Sequence, residues 1–286
     1  MWEGVVQRHH PRKTTVKSNY RKLEMMSKER NDTEGTRERC TAVVLAGGSG
    51  SRMKSNVAKQ FMQLGGKPLL WYSLQVVQQS EIIDDCILVV GGVSGQGNLE
   101  AMEYARREIL ERYGFTKVTA VVEGGTERCW SVENAMALLR SRSLDEEERH
   151  GYVFIHDSAR PFITEEIIRR TYDAVQQYHA CVAAMPSKDT VKLATLEGFA
   201  DSTPDRNLVW NIQTPQVFDR TLITDVYRRL WETYYGKSDA VPVTDDASVV
   251  EQFSTVKVKL VEGSYKNIKI TTPEDIKVAE VFLKEY

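Results

Sequence analysis

The sequence predicts an α/β protein built on a doubly wound, mostly parallel sheet from which a β-arm protrudes. From residue 41 onward, short and continuously apolar runs alternate with amphipathic segments of helical spacing. Strands that are apolar on both faces are typical of parallel sheets covered by helices on both sides. Glycines close several of these runs, as expected where a strand turns into a loop at the edge of a sheet.

The predicted strands are runs of β-branched and other apolar residues, and the predicted helices repeat apolar residues every three or four positions. The strands are predicted at residues 41–46, 86–90, 118–122, 152–156, 180–185 and 256–261. The helices are predicted at residues 68–80, 99–112, 127–139, 164–179, 220–235 and 273–284. The last helix has Pro273 in its first turn, where a missing N–H costs no hydrogen bond.

Two regions depart from this alternation. Residues 186–211 are polar and carry short β-like pieces without a long helix between them, which predicts an arm or hairpin that leaves the main sheet. Residues 1–40 have a net charge of +4, few apolar residues and no periodicity, which is typical of a disordered basic tail. The folded domain is therefore expected to span residues 41–286.

The composition argues against several classes of protein. The chain of 286 residues has a formal net charge of −2, so it lacks the basic field expected of a nucleic-acid-binding protein. No apolar run approaches the ~18 residues that a membrane span needs. Four cysteines are scattered without CxxC or CxxH spacing, which argues against structural zinc and favours free thiols in a reducing cytoplasm.

The first predicted strand runs into a glycine-rich loop at residues 46–53. The backbone N–H groups of such a loop can surround phosphate oxygens, and Arg52 and Lys59 supply two cations within the same short segment. The loop lacks the third glycine of the dinucleotide-binding pattern and the Gly-Lys-Ser/Thr of a Walker A loop. Two interpretations stay open: a polyanion site, or a tight turn beside two solvated surface charges.

Two further charged residues lie where buried structure is predicted. Asp157 follows a buried strand, where open parallel sheets bind ligands. It could hold Mg²⁺ that bridges phosphate oxygens, or it could be a turn or N-cap residue.

His156 is interpreted as structural, because no Cys or second His stands at ligand spacing. Lys269 lies between two isoleucines, so it either extends to solvent or meets a buried anion.

Nine sequence motifs occur in the same order as in one enzyme family. They are LAGGSGSRM at 45–53, KQ at 59–60, GGTERxxSV at 124–132, HDSARP at 156–161, DTVK at 189–192, QTPQ at 213–216, TDDAS at 244–248, VEG at 261–263 and NIKITTPED at 267–275. Through them, residues 41–286 resemble the 2-C-methyl-D-erythritol 4-phosphate cytidylyltransferases of the non-mevalonate isoprenoid pathway. The resemblance implies a Rossmann-like nucleotidyltransferase fold and a homodimer formed through an arm at about residues 186–211.

The resemblance also implies an activity, the transfer of CMP from CTP to 2-C-methyl-D-erythritol 4-phosphate with release of pyrophosphate. The attacking phosphate monoester is already largely a dianion near neutral pH, so it needs no general base. The barrier is the meeting of two polyanions, which fixed cations and in-line positioning lower. The implied cofactor is Mg²⁺, and the implied partners are CTP, a polyol phosphate and a second copy of the chain.

The functional positions of the family fall on charged, glycine and hydroxyl residues of this sequence. The catalytic cations correspond to Arg52, Lys59 and Lys269. Nucleotide binding corresponds to Ala46, Gly47, Gly48, Gly125, Thr126, Ser131, Asp157 and Ser158. Binding of the polyol phosphate corresponds to Arg160, Thr190, Arg206, Thr214 and Lys269. The Mg²⁺ ligand corresponds to Asp157.

Three positions depart from the family pattern. Ala58 stands where proline is usual, Ser51 where a basic residue is frequent, and Thr126 where aspartate is frequent. None of these changes removes a charged group assigned to catalysis. Ala58 is the change with a physical consequence. Without proline, the backbone beside Lys59 is less rigid.

Two alternative functions are compatible with parts of the pattern. A ribitol 5-phosphate cytidylyltransferase would share the nucleotide half, but residues 186–192 and 244–248 favour methylerythritol phosphate. A non-catalytic nucleotide-binding regulator is the alternative from another class of protein. The presence of Asp157 and of all three catalytic cations argues against it.

Overall fold

The computed structural model describes residues 37–47, 58–91, 98–142, 150–237 and 243–285. Apart from Arg37, these residues belong to the unit Glu38–Tyr286. Most of the predicted tail, residues 1–40, lies outside the described residues, and so do the loop residues Gly48 and Arg52.

The strands form a mostly parallel main sheet and two small ribbons. They are β1 (Cys40–Ala46), β2 (Gln63–Leu64), β3 (Lys67–Pro68), β4 (Asp85–Val90), β5 (Val118–Glu123), β6 (Tyr152–Asp157), β7 (Ala180–Pro186), β8 (Leu193–Ala194), β9 (Ala200–Ser202), β10 (Trp210–Asp219) and β11 (Lys259–Glu262). The main sheet has the order β11–β7–β10–β6–β1–β4–β5. Within it, β10 runs antiparallel to both neighbours, and the other pairs are parallel. This arrangement confirms the predicted fold class.

Helices connect the strands of the main sheet. They are α1 (Leu69–Gln79), α2 (Asn98–Tyr104), α3 (Arg128–Arg142), α4 (Glu165–Tyr178), α5 (Arg220–Tyr234), α6 (Asp246–Phe253) and α7 (Pro273–Leu283). A π-helix, Ala105–Glu111, continues α2, so the single helix predicted there changes its hydrogen bonding midway. No helix among the described residues combines the length and apolar character needed to cross a membrane.

The apolar side chains of the central strands are buried on both faces of the sheet. Ala42 and Val44 of β1 pack in one cluster with Leu70 and Leu74 of α1. Val43, which points to the opposite face because side chains alternate along a strand, is also fully buried. The continuous apolar runs in the sequence therefore follow from coverage of the sheet on both sides.

The order of the strands reverses at β1, which has β4 and β5 on one side and β6 on the other. Open α/β sheets bind ligands outside the carboxyl ends of their strands at such a switch point. Leu45 of β1 pairs with Asp157 of β6, so these two strands end side by side. The topology thus brings Ala46 and Asp157 to the same edge of the sheet.

Strand β10 and helix α6 are not predicted from the sequence, and the last strand, predicted at 256–261, is found at Lys259–Glu262. β10 contains Pro215, which lacks the N–H that a central strand normally donates. The structure accommodates the proline where the β10–β7 register shifts, between Ile212 and Gln216. A local irregularity thus allows a strand where the sequence pattern argues against one.

The predicted arm leaves the main sheet after β7. Its strands β8 and β9 pair only with each other in the described structure, as an antiparallel hairpin. Gly198 has a φ of +87° in the connecting turn, a conformation that favours glycine. Large apolar side chains of the arm are exposed, and they are Leu193, Leu196, Phe199 and Leu208.

Candidate active site

The carboxyl ends of β1, β4, β5 and β6 form a tightly packed edge. The N–H of Ser158 donates to Leu45 O over 3.0 Å, and the N–H of Gly124 donates to Val90 O over 2.8 Å. A Cβ on Gly47 would lie 3.3 Å from the N atom of Gly91. Glycine at these ends allows neighbouring backbones to approach closely. The predicted nucleotide residues Ala46, Gly47 and Ser158 therefore share one edge.

The loop after β5 is held by a buried serine. Gly125 N–H donates to Ser131 Oγ over 2.9 Å, and the Ser131 hydroxyl donates to Glu127 O over 3.2 Å. A side chain on Gly125 would overlap Trp130. Thr126 is exposed at the tip of this loop. The predicted residues Gly125, Thr126 and Ser131 thus form one turn at the start of α3, with Thr126 facing outward.

The carboxylate of Asp157 is the anionic centre of this edge. Lys269 Nζ donates to Asp157 Oδ2 over 2.7 Å, and Arg128 Nε donates to Oδ1 over 3.2 Å. Burial by itself would raise the pKa of Asp157, but Arg128 and Lys269 outweigh it and hold the pKa well below the ordinary carboxyl range. Asp157 is therefore ionised near neutral pH, and Lys269 meets a buried anion, which is one of the two interpretations of the sequence.

Arg128 joins Asp157 to a second buried carboxylate, Asp246 at the start of α6. Its Nη1 and Nη2 donate to the two oxygens of Asp246 over 2.9 and 2.7 Å. Burial would lower the pKa of Arg128, but Asp246 and Asp157 outweigh it and raise the pKa. Neither residue has a role predicted from the sequence, although Arg128 lies in the motif at 124–132 and Asp246 in the motif at 244–248. Two sequence features could have indicated them. Arg128 follows a pair of glycines at a predicted turn, and Asp246 is the second of two adjacent aspartates.

Thr214 and His156 support the backbone beneath Asp157. Thr214 Oγ1 accepts from Asp157 N–H over 3.1 Å and lies 2.9 Å from His156 Nδ1. His156 Nε2 lies 3.1 Å from Arg160 O; since a carbonyl can only accept, Nε2 carries the proton and Nδ1 accepts from Thr214. Burial lowers the pKa of His156 to about 4 despite the nearby Asp157. The imidazole is thus neutral, and the Thr214 hydroxyl is occupied within the protein.

Arg160 connects the same region to the segments around β10 and Lys269. Its Nη1 donates to Asn267 O over 2.8 Å, and its Nη2 donates to Ile212 O over 3.1 Å. Within the described part of the chain, its Nε has no hydrogen-bond partner. Arg160, predicted to bind the polyol phosphate, therefore lies near Asp157 but uses most of its guanidinium on backbone carbonyls.

The remaining predicted residues lie on two other segments. Lys59 begins a short 3₁₀ turn, Lys59–Phe61, and Gln60 ties this turn to the end of β4 by donating to Gly91 O over 3.0 Å. Thr190 and Arg206 are exposed on the arm, outside the hydrogen-bonded cluster around Asp157. The structure thus brings most of the predicted nucleotide residues together and leaves the two arm residues apart from them.

The edge offers a metal ion one ionised carboxylate, that of Asp157. In the described part of the chain, no group of three or more His, Cys, Asp or Glu side chains is placed to hold a metal. Proteins often bind Mg²⁺ through one or two carboxylates together with substrate phosphates. The donor set therefore fits Mg²⁺ as an ion shared with a phosphate ligand and does not form a cage made of protein alone.

Comparison with known proteins identifies the family. The model of the 2-C-methyl-D-erythritol 4-phosphate cytidylyltransferase family matches residues 40–285. Proteins of that name from Lachnospira eligens and Lachnoclostridium phytofermentans are 47% and 44% identical to this chain, over 85% and 87% of it and 99% and 98% of their own lengths.

Solved structures agree with the sequence comparison. The 4-diphosphocytidyl-2C-methyl-D-erythritol synthase of Anaerococcus prevotii matches with a TM-score of 0.68 and 35% identity, over 86% of this chain and 96% of its own. The 2-C-methyl-D-erythritol 4-phosphate cytidylyltransferase of Francisella tularensis matches with a TM-score of 0.66 and 26% identity, over 85% of this chain and 99% of its own. The chain therefore belongs to the 2-C-methyl-D-erythritol 4-phosphate cytidylyltransferase family.

Proposed function

We propose that this chain transfers CMP from CTP to 2-C-methyl-D-erythritol 4-phosphate, giving 4-diphosphocytidyl-2-C-methyl-D-erythritol and pyrophosphate. The observation that carries the proposal is the ionised Asp157 beside Lys269 and Arg128 at the switch point of the sheet. Membership of the family supports the choice of CTP and methylerythritol phosphate as substrates. The relatives named above carry that activity in their names.

The residues at this edge suit a reaction controlled by charge. The substrate phosphate attacks the α-phosphorus of CTP in line with the departing pyrophosphate, and no side chain needs to remove a proton. The neutral, fully bonded His156 agrees with that requirement. We assign the stabilisation of the developing phosphoryl charge to Lys59, Lys269 and Arg52, of which Arg52 lies outside the described residues.

Mg²⁺ is part of the proposal, with Asp157 as its ligand. When bound, the ion would neutralise phosphate charge and keep the triphosphate in one orientation. The support is an ionised carboxylate at the edge where the phosphates are proposed to lie. Lys269 and Arg128 would remain beside Asp157 and keep this carboxylate in its charged form.

A homodimer formed through the arm is also proposed. Leu196 is fully exposed and Phe199 is 74% exposed, and exposed large apolar side chains on one segment are typical of an interaction surface. Because Thr190 and Arg206 lie on this arm, dimerisation would let them reach the polyol phosphate in the partner's site. Light scattering at several protein concentrations tests the dimer, and a monomer at micromolar concentration would contradict it.

A cytoplasmic location is proposed on the basis of the cysteines. Cys86, Cys129 and Cys181 are free and buried. Free thiols are typical of a reducing compartment.

Pyrophosphate release tests the proposed function directly. The chain is incubated with CTP, Mg²⁺ and either 2-C-methyl-D-erythritol 4-phosphate or ribitol 5-phosphate. Release with the methylerythritol substrate and little with ribitol 5-phosphate supports the proposal. Preferential release with ribitol 5-phosphate would move the chain to the alternative activity, and CTP binding without release would indicate a regulator.

A further inference from the structure

We propose that Arg128 is a positioning residue for the reaction, which orients Asp157 by connecting it to Asp246. The inference rests on the proposed function, since it assigns to Arg128 an effect on turnover. It goes beyond that function because neither Arg128 nor Asp246 is among the residues expected to contact CTP, Mg²⁺ or the polyol phosphate.

The geometry of Arg128 is that of a fixed connection. Two nitrogens of its planar guanidinium bind the two oxygens of Asp246, and the third, Nε, binds Asp157 Oδ1. A bidentate contact between a guanidinium and a carboxylate fixes the plane of both groups. Once that plane is fixed, the position of Nε is fixed too, and it determines where Asp157 Oδ1 lies.

Asp246 is itself held in place, by a direct contact from Tyr227 and by contacts from Gln216 to the residues on either side of it. Its side chain is fully buried, and Tyr227 of α5 donates its hydroxyl to Asp246 Oδ1 over 2.6 Å. Gln216 of β10 accepts from the N–H of Ala247 over 2.9 Å and donates to Asp245 Oδ2 over 3.0 Å. Helix α6 therefore begins at a point anchored to the main sheet.

These contacts form a closed path from the sheet back to the sheet. Gln216 pairs with Ile155 of β6, the strand that ends in Asp157. The path runs from β6 through Gln216 to the start of α6, and returns through Asp246 and Arg128 to Asp157. A closed path of hydrogen bonds restricts the Asp157 carboxylate more than Lys269 does, because the Lys269 side chain is 38% exposed and carries its ammonium group on a flexible stem.

Alternation of charge explains why the arrangement is stable as a unit. Lys269, Asp157, Arg128 and Asp246 follow one another as cation, anion, cation and anion. Each charge has an opposite neighbour, and the removal of Arg128 would take from the fully buried Asp246 the cation that faces it. A lysine at position 128 would keep the charge but could not bind Asp157 and both oxygens of Asp246 at once.

The experiment compares Arg128→Lys with a matched control on the same helix. Arg140 of α3 pairs with the buried Glu133 and donates to Thr224 O, and its side chain is 28% exposed, as is that of Arg128. Both variants are assayed for kcat, for the KM of each substrate, for CTP affinity by calorimetry and for melting temperature.

We expect Arg128→Lys to lower kcat by roughly 10- to 100-fold, the scale of a small misplacement at a reacting centre. The KM values and the CTP Kd should stay within about threefold of the parent values. The reason is that the contacts that hold the substrates equally well in the ground state and the transition state are retained. Arg140→Lys also weakens a contact with a buried carboxylate, so it should lower the melting temperature about as much as Arg128→Lys does. Its kcat should stay within about twofold of the parent value. A fall in melting temperature alone in Arg128→Lys, or a raised CTP KM with unchanged kcat, would overturn the proposal.

Tyr227→Phe keeps the proposal falsifiable if Arg128→Lys does not fold. It removes one hydrogen bond to Asp246 and should by itself lower kcat roughly three- to tenfold. A lower melting temperature with parental kcat would refute the positioning role. Parental activity is measured first: an inactive parent overturns the proposed function and with it this inference, whereas an active parent with parental kcat in the variants overturns this inference alone.

Discussion

Asp157→Asn preserves the size of a buried side chain and removes its charge, so its consequences can be estimated from the contacts. The carboxylate receives one hydrogen bond from Lys269 and a longer one from Arg128. Lys269 is partly exposed and regains water, and Arg128 keeps both bonds to Asp246. The loss is therefore close to one charged hydrogen bond, about 2 kcal/mol of unfolding free energy, and smaller than the cost of a stranded buried charge.

This loss should lower the melting temperature by about 4–8 °C, and it should depend on pH. The pKa of Asp157 is depressed in the folded protein, so its contribution to stability is present above the ordinary carboxyl pKa and is lost as the pH falls below about 4. The difference in unfolding free energy between the parent and Asp157→Asn should therefore shrink from about pH 6 to about pH 3. Chemical denaturation at several pH values measures it.

The effect on activity should exceed the effect on stability. We expect kcat to fall about 10²-fold and the Mg²⁺ concentration for half-maximal rate to rise, because a neutral amide is a poorer ligand for this cation. The assay is pyrophosphate release across a Mg²⁺ titration. Asp219→Asn is the control: Asp219 is buried and caps α5, and it pairs with Tyr152 at the opposite end of β6.

Two results would refute this reasoning. If Asp157→Asn has the kcat and the Mg²⁺ dependence of the parent, Asp157 is only a turn residue at the end of β6. If Asp219→Asn reduces kcat as strongly, the assay reports general destabilisation and not the loss of a charge at the site.

Four further predictions concern other segments. Lys59→Ala should lower kcat about 10²-fold with the fold intact; circular dichroism and steady-state kinetics check this, and parental turnover would remove Lys59 from the site. Ala58→Pro should raise the melting temperature by about 1–4 °C, since Ala58 already has a φ of −56° and no hydrogen bond between described residues uses its N–H; a lower melting temperature would show that the ring does not fit. Deletion of residues 1–24 should leave melting temperature and turnover unchanged, because a polar, aperiodic segment buries little surface, and a loss of several degrees would show that it docks. Mixed dimers of inactive Arg206→Ala and inactive Lys59→Ala chains should recover activity if each site combines both protomers, and mixed dimers without recovery would place the whole site in one chain.

The sequence determined the features that depend on neighbouring residues. Continuous apolar runs such as 41–46 and 152–156 predict buried parallel strands, because each residue must face a covered side of the sheet. The position of Asp157 directly after such a run placed it at the ligand-binding edge. The motifs also identified the family, because their order along the chain can be read from the sequence without any knowledge of the fold.

The tertiary structure alone decided which distant residues meet. Arg128 and Asp246 are 118 positions apart, and Lys269 and Asp157 are 112 apart, so no local pattern pairs them. Strand β10 went unpredicted because Pro215 argues against a strand until neighbouring strands accommodate it at a register shift. The local sequence pattern predicts which side chains of a segment are buried. The pairing of buried charges depends instead on how distant segments pack against each other, and this packing is visible only in the folded chain.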